Sequence, residues 1–170
     1  MAALFDDLLD QAKQLAKREP RKPKQASLRR AISTAYYALF HLLVNEAVRL
    51  LIKGGDRKAL RQTLSRAFVH SQMKDVSQQF GRNQVSDKFL PALNGMTLQP
   101  ELISVAKTFV DLQQARHEAD YDVSRDFPKQ DCLDLVGRVE KAFSGWRQVR
   151  GSLQSEVFLV AMLAQKQIHL

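Results

Sequence analysis

Four residues near the end of one helical segment could act on phosphate or protons: Arg116, His117, Asp120 and Tyr121. At about 100° per residue, Arg116 lies in line with the apolar side chains that precede it, and Asp120 follows one turn later on the same face. Burying an unpaired charge is costly, so a charged side chain on an apolar face needs a partner or a function. His117 and Tyr121 form a second pair with the same spacing on the adjoining flank.

Two interpretations of this cluster are open from the pattern. In the first, Arg116 and Asp120 form a buried ion pair that fixes the register of the helix. In the second, the guanidinium of Arg116 binds phosphate through its planar set of donors, and His117 passes protons near neutral pH. Arg116 and His117 are then the candidate catalytic residues, and Asp120 and Tyr121 belong to a binding cleft.

A second set of polar and aromatic residues, Ser33, Tyr37 and His41, recurs at one-turn spacing along an earlier helix. These side chains are expected either to form a hydrogen-bonded network in the core or to line a cleft that faces Arg116. The sequence pattern is compatible with both arrangements.

The helix that carries this second set spans about residues 27–52 and is apolar nearly all round. Such a helix is normally covered from several sides, so we expect contacts with other helices of its own chain and with a partner chain. A narrow strip at Thr34, Ala38 and Asn45 is predicted to face water. Ser27 can cap the first turn, because its hydroxyl can accept a hydrogen bond from a free backbone N–H.

The remaining periodicities predict an all-α protein built as a helical bundle, since no strand-like alternation occurs in the sequence. One domain is expected over residues 1–170, with a basic linker at 18–26 and an irregular connection at 81–100. Further helices are expected at about 3–18, 57–68, 101–121, 129–149 and 153–167, with a break or a second short helix at 70–80.

Positive charge is concentrated in one stretch of the chain. The net charge is +8, and residues 13–30 hold eight basic residues against Glu19 alone, which gives +7. The predicted basic patch comprises Arg18, Arg21, Lys22, Lys24, Arg29 and Arg30. This concentration suits a polyanion such as RNA, DNA or a nucleotide, or it is a solvated linker kept extended by Pro20 and Pro23.

Composition excludes several classes of protein. A single cysteine, Cys132, excludes a disulfide framework and fits a reducing compartment. The acidic first residues do not fit a secretory signal, and no apolar run reaches membrane-spanning length, so we expect a cytoplasmic protein without a membrane partner. The four histidines lack ligand spacing, and the sequence has no glycine-rich phosphate loop, so we expect no metal and no cofactor.

The sequence resembles the HEPN family (higher-eukaryote and prokaryote nucleotide-binding domains) in two stretches, SLRRAISTAYYALFHLL from Ser27 and QQARHEADYD from Gln113. The likeness is closest to its small bacterial and archaeal single-domain members and covers about residues 27–149. It implies an antiparallel, up-down four-helix bundle, here with additional N- and C-terminal helices, that forms a homodimer whose motif helices meet at a cleft. Many members are metal-independent ribonucleases of toxin or antiviral systems, and others bind nucleotides or act as non-catalytic partners of nucleotidyltransferases.

Catalytic members of the family share an Arg followed, after about four to six intervening residues, by a His. Arg116 matches the Arg, but residues 121–123 hold no His. Because this departure removes the expected proton-transfer group, we predict a homodimeric module that binds RNA or nucleotides or serves as a partner protein. One alternative is a metal-independent endoribonuclease in which His117 or His41 moves the proton. Another is a scaffold for a nucleotidyltransferase or an antitoxin.

Overall fold

The computed structural model describes residues 2–170, and Met1, which the predicted domain includes, lies outside them. The described residues form eight α-helices and one 3-10 helix: α1 (Leu4–Ala16), α2 (Gln25–Leu51), α3 (Lys58–Ser65), α4 (His70–Gly81), the 3-10 helix (Asp87–Phe89), α5 (Leu90–Leu93), α6 (Pro100–Tyr121), α7 (Lys129–Val149) and α8 (Leu153–Ala164). The prediction of an all-α protein is confirmed. Over residues 2–170, no helix combines the length and the apolar character needed to cross a lipid bilayer.

Most helix boundaries lie within a few residues of those predicted. The end of α1 and the start of α2 leave a linker of residues 17–24, and the second short helix expected at 70–80 is present as α4. The connection at 81–100 contains the 3-10 helix and α5. Ser27 lies inside the first turn of α2 and not at its N-cap, and its hydroxyl donates to Glu19 at 2.8 Å.

Two compact units make up the chain. The first comprises Met1–His41, of which residues 2–41 are described, and Thr108–Ser144; the second comprises Leu42–Lys107 and Gly145–Leu170. The assignment of one domain to residues 1–170 stays a prediction.

The first unit buries α2 more completely than the sequence pattern indicates. The ring centroids of Tyr36 and Phe109 lie 5.5 Å apart, and Phe5 packs edge-on against Phe143 at 6.0 Å. Thr34 and Ala38, which were predicted to face water, are only 7% and 0% exposed. That prediction is wrong for these two residues, because small side chains allow close packing on the side of the helix that carries them. Asn45, the third residue of the strip, is half-buried.

The second unit has its core where α4 packs against α8. The rings of Phe80 and Phe158 lie 4.9 Å apart in this contact. The side-chain amide of Gln72 donates to the backbone carbonyls of Met162 and Leu163 at 3.0 and 2.7 Å. Those carbonyls belong to the last turn of α8, where the helix itself supplies no donor, so one buried amide satisfies both.

Candidate functional site

Arg116 of α6 lies against two aromatic rings of α2 in the first unit. Its Cζ atom is 5.1 Å from the ring centroid of Tyr36 and 5.7 Å from that of Tyr37. A guanidinium at such distances is attracted by the electron-rich faces of both rings. The Arg116 side chain is 14% exposed, so it is mostly buried but still open to solvent.

The predicted pair between Arg116 and Asp120 is present, but its geometry is loose. Arg116 Nη1 and Asp120 Oδ2 are 3.6 Å apart, and the Asp120 side chain is 31% exposed. Ser33 Oγ lies 3.4 Å from the same carboxylate oxygen and donates to it. The strongest arginine–carboxylate pairs are bidentate, with two parallel N–H···O bonds, and this pair is not one of them.

The Nε donor of Arg116 has no acceptor among the described residues, and it is buried. A buried donor without an acceptor costs about 1–3 kcal/mol. The guanidinium is therefore positioned mainly by the two tyrosine rings and is only partly neutralised by Asp120.

His117 and Tyr121 form an exposed pair of rings on the outer flank of α6. Their ring centroids are 5.1 Å apart, with planes inclined by 52°, and Tyr121 is 67% exposed. His117 follows Arg116 directly in the chain, so the two side chains point about 100° apart around the helix. Within one chain, His117 and Arg116 therefore do not converge on a common point.

The second predicted set lies along α2 with Tyr37 at its centre. The rings of Tyr37 and His41 are 6.3 Å apart, and His41 is half-buried. Burial lowers the pKa of His41, so its imidazole is neutral at pH 7. Tyr37 thus contacts Arg116 and Ser33 contacts Asp120, whereas His41 contacts the ring of Tyr37.

Tyr36 belongs to this site although its position in the sequence did not mark it as a site residue. It is fully buried, and this burial raises the pKa of its hydroxyl well above the usual range, against the opposing effect of the Arg116 charge. A neutral ring beside the guanidinium attracts it through the quadrupole of its electron-rich face and not through a formal negative charge. The adjacent tyrosines in the sequence were the available signal, because neighbours on a helix can flank one partner side chain from two sides.

The predicted basic patch divides into two groups. Arg18, Arg21, Lys22, Lys24 and Arg30 are exposed. Arg29 is half-buried and donates to the backbone carbonyls of Ala119 and Asp122, both at 2.9 Å, and to that of Arg125. These carbonyls lie at and just after the C-terminal end of α6, where a positive charge also complements the helix dipole. Arg29 therefore fixes the end of the helix that carries Arg116, and its role in binding stays a prediction.

Further contacts, which the sequence did not predict, bind the turn after α6 to α2. The Gln25 side chain donates to the carbonyl of Phe127 and accepts from its N–H, both at 2.9 Å. Two guanidinium groups contact the Phe127 ring, with the Cζ atom of Arg29 5.5 Å and that of Arg125 4.8 Å from its centroid. Arg125 also pairs with Glu118 on α6. These contacts hold the last turn of α6, and with it Asp120, against α2.

A separate groove of about 370 Å³ lies between α6 and α7. Its two arginines are already paired, Arg125 with Glu118 and Arg138 with Asp111 at 2.7 Å. In the part of the chain that the structure describes, no group of three or more His, Cys, Asp or Glu side chains is arranged to hold a metal ion. The groove therefore offers no unpaired cation for an anionic ligand.

Comparison of the chain with protein-family models, curated proteins and solved structures finds no match in any of the three. The resemblance to the HEPN family stays a prediction that depends on the two sequence stretches. Residues of both stretches do meet in the fold, since Tyr37 of the first contacts Arg116 of the second and Ser33 contacts Asp120.

Proposed function

We propose that this chain is a HEPN-like helical protein of the cytoplasm that binds RNA or nucleotides as a homodimer, with Arg116 as the phosphate-binding residue. The observation that supports the proposal is the environment of this guanidinium, meaning its ring contacts, its exposure and its distance from Asp120. It is held on two tyrosine rings, stays 14% exposed, and meets Asp120 only at 3.6 Å. An arginine that is positioned by rings and not consumed by a bidentate carboxylate keeps donors for an oxyanion.

The proposed arrangement of the helices is an antiparallel, up-down four-helix bundle with additional N- and C-terminal helices. Buried apolar faces on the three longest helices, α2, α6 and α7, support it. The proposed dimer face includes the exposed rings of His117 and Tyr121. Sedimentation equilibrium is expected to give twice the chain mass of 19.3 kDa. Tyr121→Asp should shift the population toward the single-chain mass, and a wild-type protein that stays at that mass at high concentration would exclude the dimer.

Fluorescence anisotropy with a labelled short single-stranded RNA tests the role of Arg116. Arg116→Ala is expected to weaken the affinity about 10- to 100-fold, because a hydrogen bond to a charged group contributes about 1.5–3 kcal/mol. Arg116→Lys should recover part of the loss, since it restores the charge but not the planar fork. Arg82→Ala is the matched control, because Arg82 is exposed and lies in the other unit. RNA affinity that is the same in Arg116→Ala and in the control would refute the proposal.

A second candidate function, a metal-independent ribonuclease, is favoured by the position of His41. The Tyr37 ring contacts both Arg116 and His41, and burial lowers the pKa of His41. A neutral imidazole can accept the proton of a ribose 2′-hydroxyl while the guanidinium stabilises charge on the phosphate. The protein would then release fragments that end in a cyclic phosphate, with or without a chelator. Loss of these fragments in both Arg116→Ala and His41→Gln is expected, and RNA that stays intact with the wild-type protein excludes this candidate.

A further inference from the structure

The linker of residues 17–24 is anchored to the rest of the first unit through its one acidic residue. Ser27 Oγ donates to Glu19 Oε1 at 2.8 Å, and Lys129 Nζ donates to the Glu19 backbone carbonyl at 3.1 Å. The hydrogen bond from Ser27 also lowers the pKa of Glu19, so the carboxylate is ionised at neutral pH. The linker therefore follows a defined path beside the start of α2, although it contains no regular secondary structure.

The basic side chains of this linker point to solvent. The five of them are exposed: Lys17, Arg18, Arg21, Lys22 and Lys24. Their only described electrostatic partner is Glu19, whose carboxylate attracts Arg18 and Lys24. Arg18, Arg21 and Lys22 line an open depression of about 470 Å³. Five cations against one acid leave an excess of four positive charges on a short anchored segment.

Arg30 connects this segment with the Arg116 site. Ser27, which contacts the linker, and Ser33, which contacts Asp120, lie six residues apart on α2. At 1.5 Å and 100° per residue they are about 9 Å apart along the helix axis and about 120° apart around it. Arg30 is three residues from each serine, so it lies halfway between them both along the helix axis and around it. Its side chain is exposed.

We propose that Lys17, Arg18, Arg21, Lys22, Lys24 and Arg30 form a basic track that binds the phosphate backbone of single-stranded RNA and leads it to Arg116. The proposal rests on the proposed function for the choice of RNA, but its residues are distinct from those of the Arg116 site. A single strand fits better than a duplex, because a guanidinium that is 14% exposed is not accessible to the broad surface of a double helix. A membrane surface fits poorly, because segments that bind membranes place Trp, Phe or Leu beside their basic residues and the linker has none.

The salt dependence of RNA binding tests the track. The slope of log K against log salt changes by about 0.7 for each phosphate contact to a single strand. The combined variant Arg21→Gln, Lys22→Gln, Lys24→Gln should therefore flatten the slope by about 2 and weaken binding at least tenfold. Arg30→Gln should flatten it by about 0.7. The matched control, Lys53→Gln, Lys58→Gln, Arg66→Gln, removes the same charge from exposed sites in the second unit and should leave the slope unchanged.

The outcomes separate this inference from the proposed function. If Arg116→Ala loses RNA while the linker variant keeps the wild-type slope, the track is refuted and the role of Arg116 stands. If the linker variant loses RNA while Arg116→Ala binds normally, RNA binding by the linker stands, and both the role of Arg116 and the course of the track toward it are refuted. A slope that falls equally in the control variant would show a diffuse charge effect and refute the track. Tighter binding to duplex RNA, or to vesicles of anionic lipid, would refute the choice of single-stranded RNA.

Discussion

Replacing Arg29 with alanine is expected to destabilise the protein by about 3 kcal/mol. The substitution removes three hydrogen bonds to carbonyls at and just after the end of α6 and a cation–π contact with Phe127. The bond to Ala119 is partly buried, and a charged hydrogen bond of this kind contributes about 1.5–3 kcal/mol. The other two are exposed, so solvent screening reduces each to about 0.5–1 kcal/mol. For a chain of this length the loss corresponds to a fall in Tm of roughly 6–12 °C.

Urea unfolding followed by far-UV circular dichroism measures this effect. Arg29→Lys should give an intermediate loss, because one ammonium group keeps the charge but cannot reach all three carbonyls. Arg30→Ala is the control, since Arg30 is the next residue in the chain and is exposed. Its free energy of unfolding should stay within about 0.5 kcal/mol of the wild-type value. If Arg29→Ala also stays within that margin, Arg29 does not act as a cap for α6.

Two glycines and the cysteine give further predictions. Gly81→Ala should lower the free energy of unfolding by about 1–3 kcal/mol, because its Cβ would lie 3.1 Å from Lys107 Cγ and 3.3 Å from the Lys107 backbone nitrogen. Gly137 lies inside α7 with nothing within 4 Å of a new Cβ, so Gly137→Ala should raise the free energy of unfolding by about 0.5–1 kcal/mol. Urea unfolding in which both variants change this free energy in the same direction would contradict the reasoning. Burial raises the pKa of the Cys132 thiol to about 11. An unfolded thiol ionises near pH 8.5, so the wild-type protein should lose stability as the pH rises from about 8.5 toward 11. Cys132→Ala should show a smaller loss over that range, and an identical pH profile would contradict the prediction.

Local patterns predicted the helices and the register of Arg116 with Asp120. Both features depend on residues a few positions apart, so the 3.6-residue period of the helix is enough to place them. The sequence could not predict that the nitrogen and oxygen atoms of this pair lie as far apart as 3.6 Å. This distance depends on how closely α6 approaches Tyr36 and Tyr37, which lie about eighty residues earlier in the chain.

The role of Arg29 could not be predicted from charge density. The sequence grouped it with exposed basic neighbours because it adjoins Arg30 and follows a basic linker. Its partners are backbone carbonyls about ninety residues away, and any amino-acid type can present a carbonyl. Thr34 and Ala38 were misjudged for a related reason, because burial of a helix face depends on what packs against it and not on its own side chains alone.

The turn between α6 and α7 has a length that cannot easily change. Surface turns generally accept inserted residues, since their backbone groups bind water equally well in many conformations. Here the carbonyls of Asp122 and Arg125 must reach Arg29, and Phe127 must present both its N–H and its carbonyl to Gln25. One added residue would shift these backbone groups relative to one another, so that Arg29 and Gln25 could not form all of these hydrogen bonds at once. Among homologous chains, this turn should therefore vary in side chains such as Val123, which is 89% exposed, and keep its number of residues.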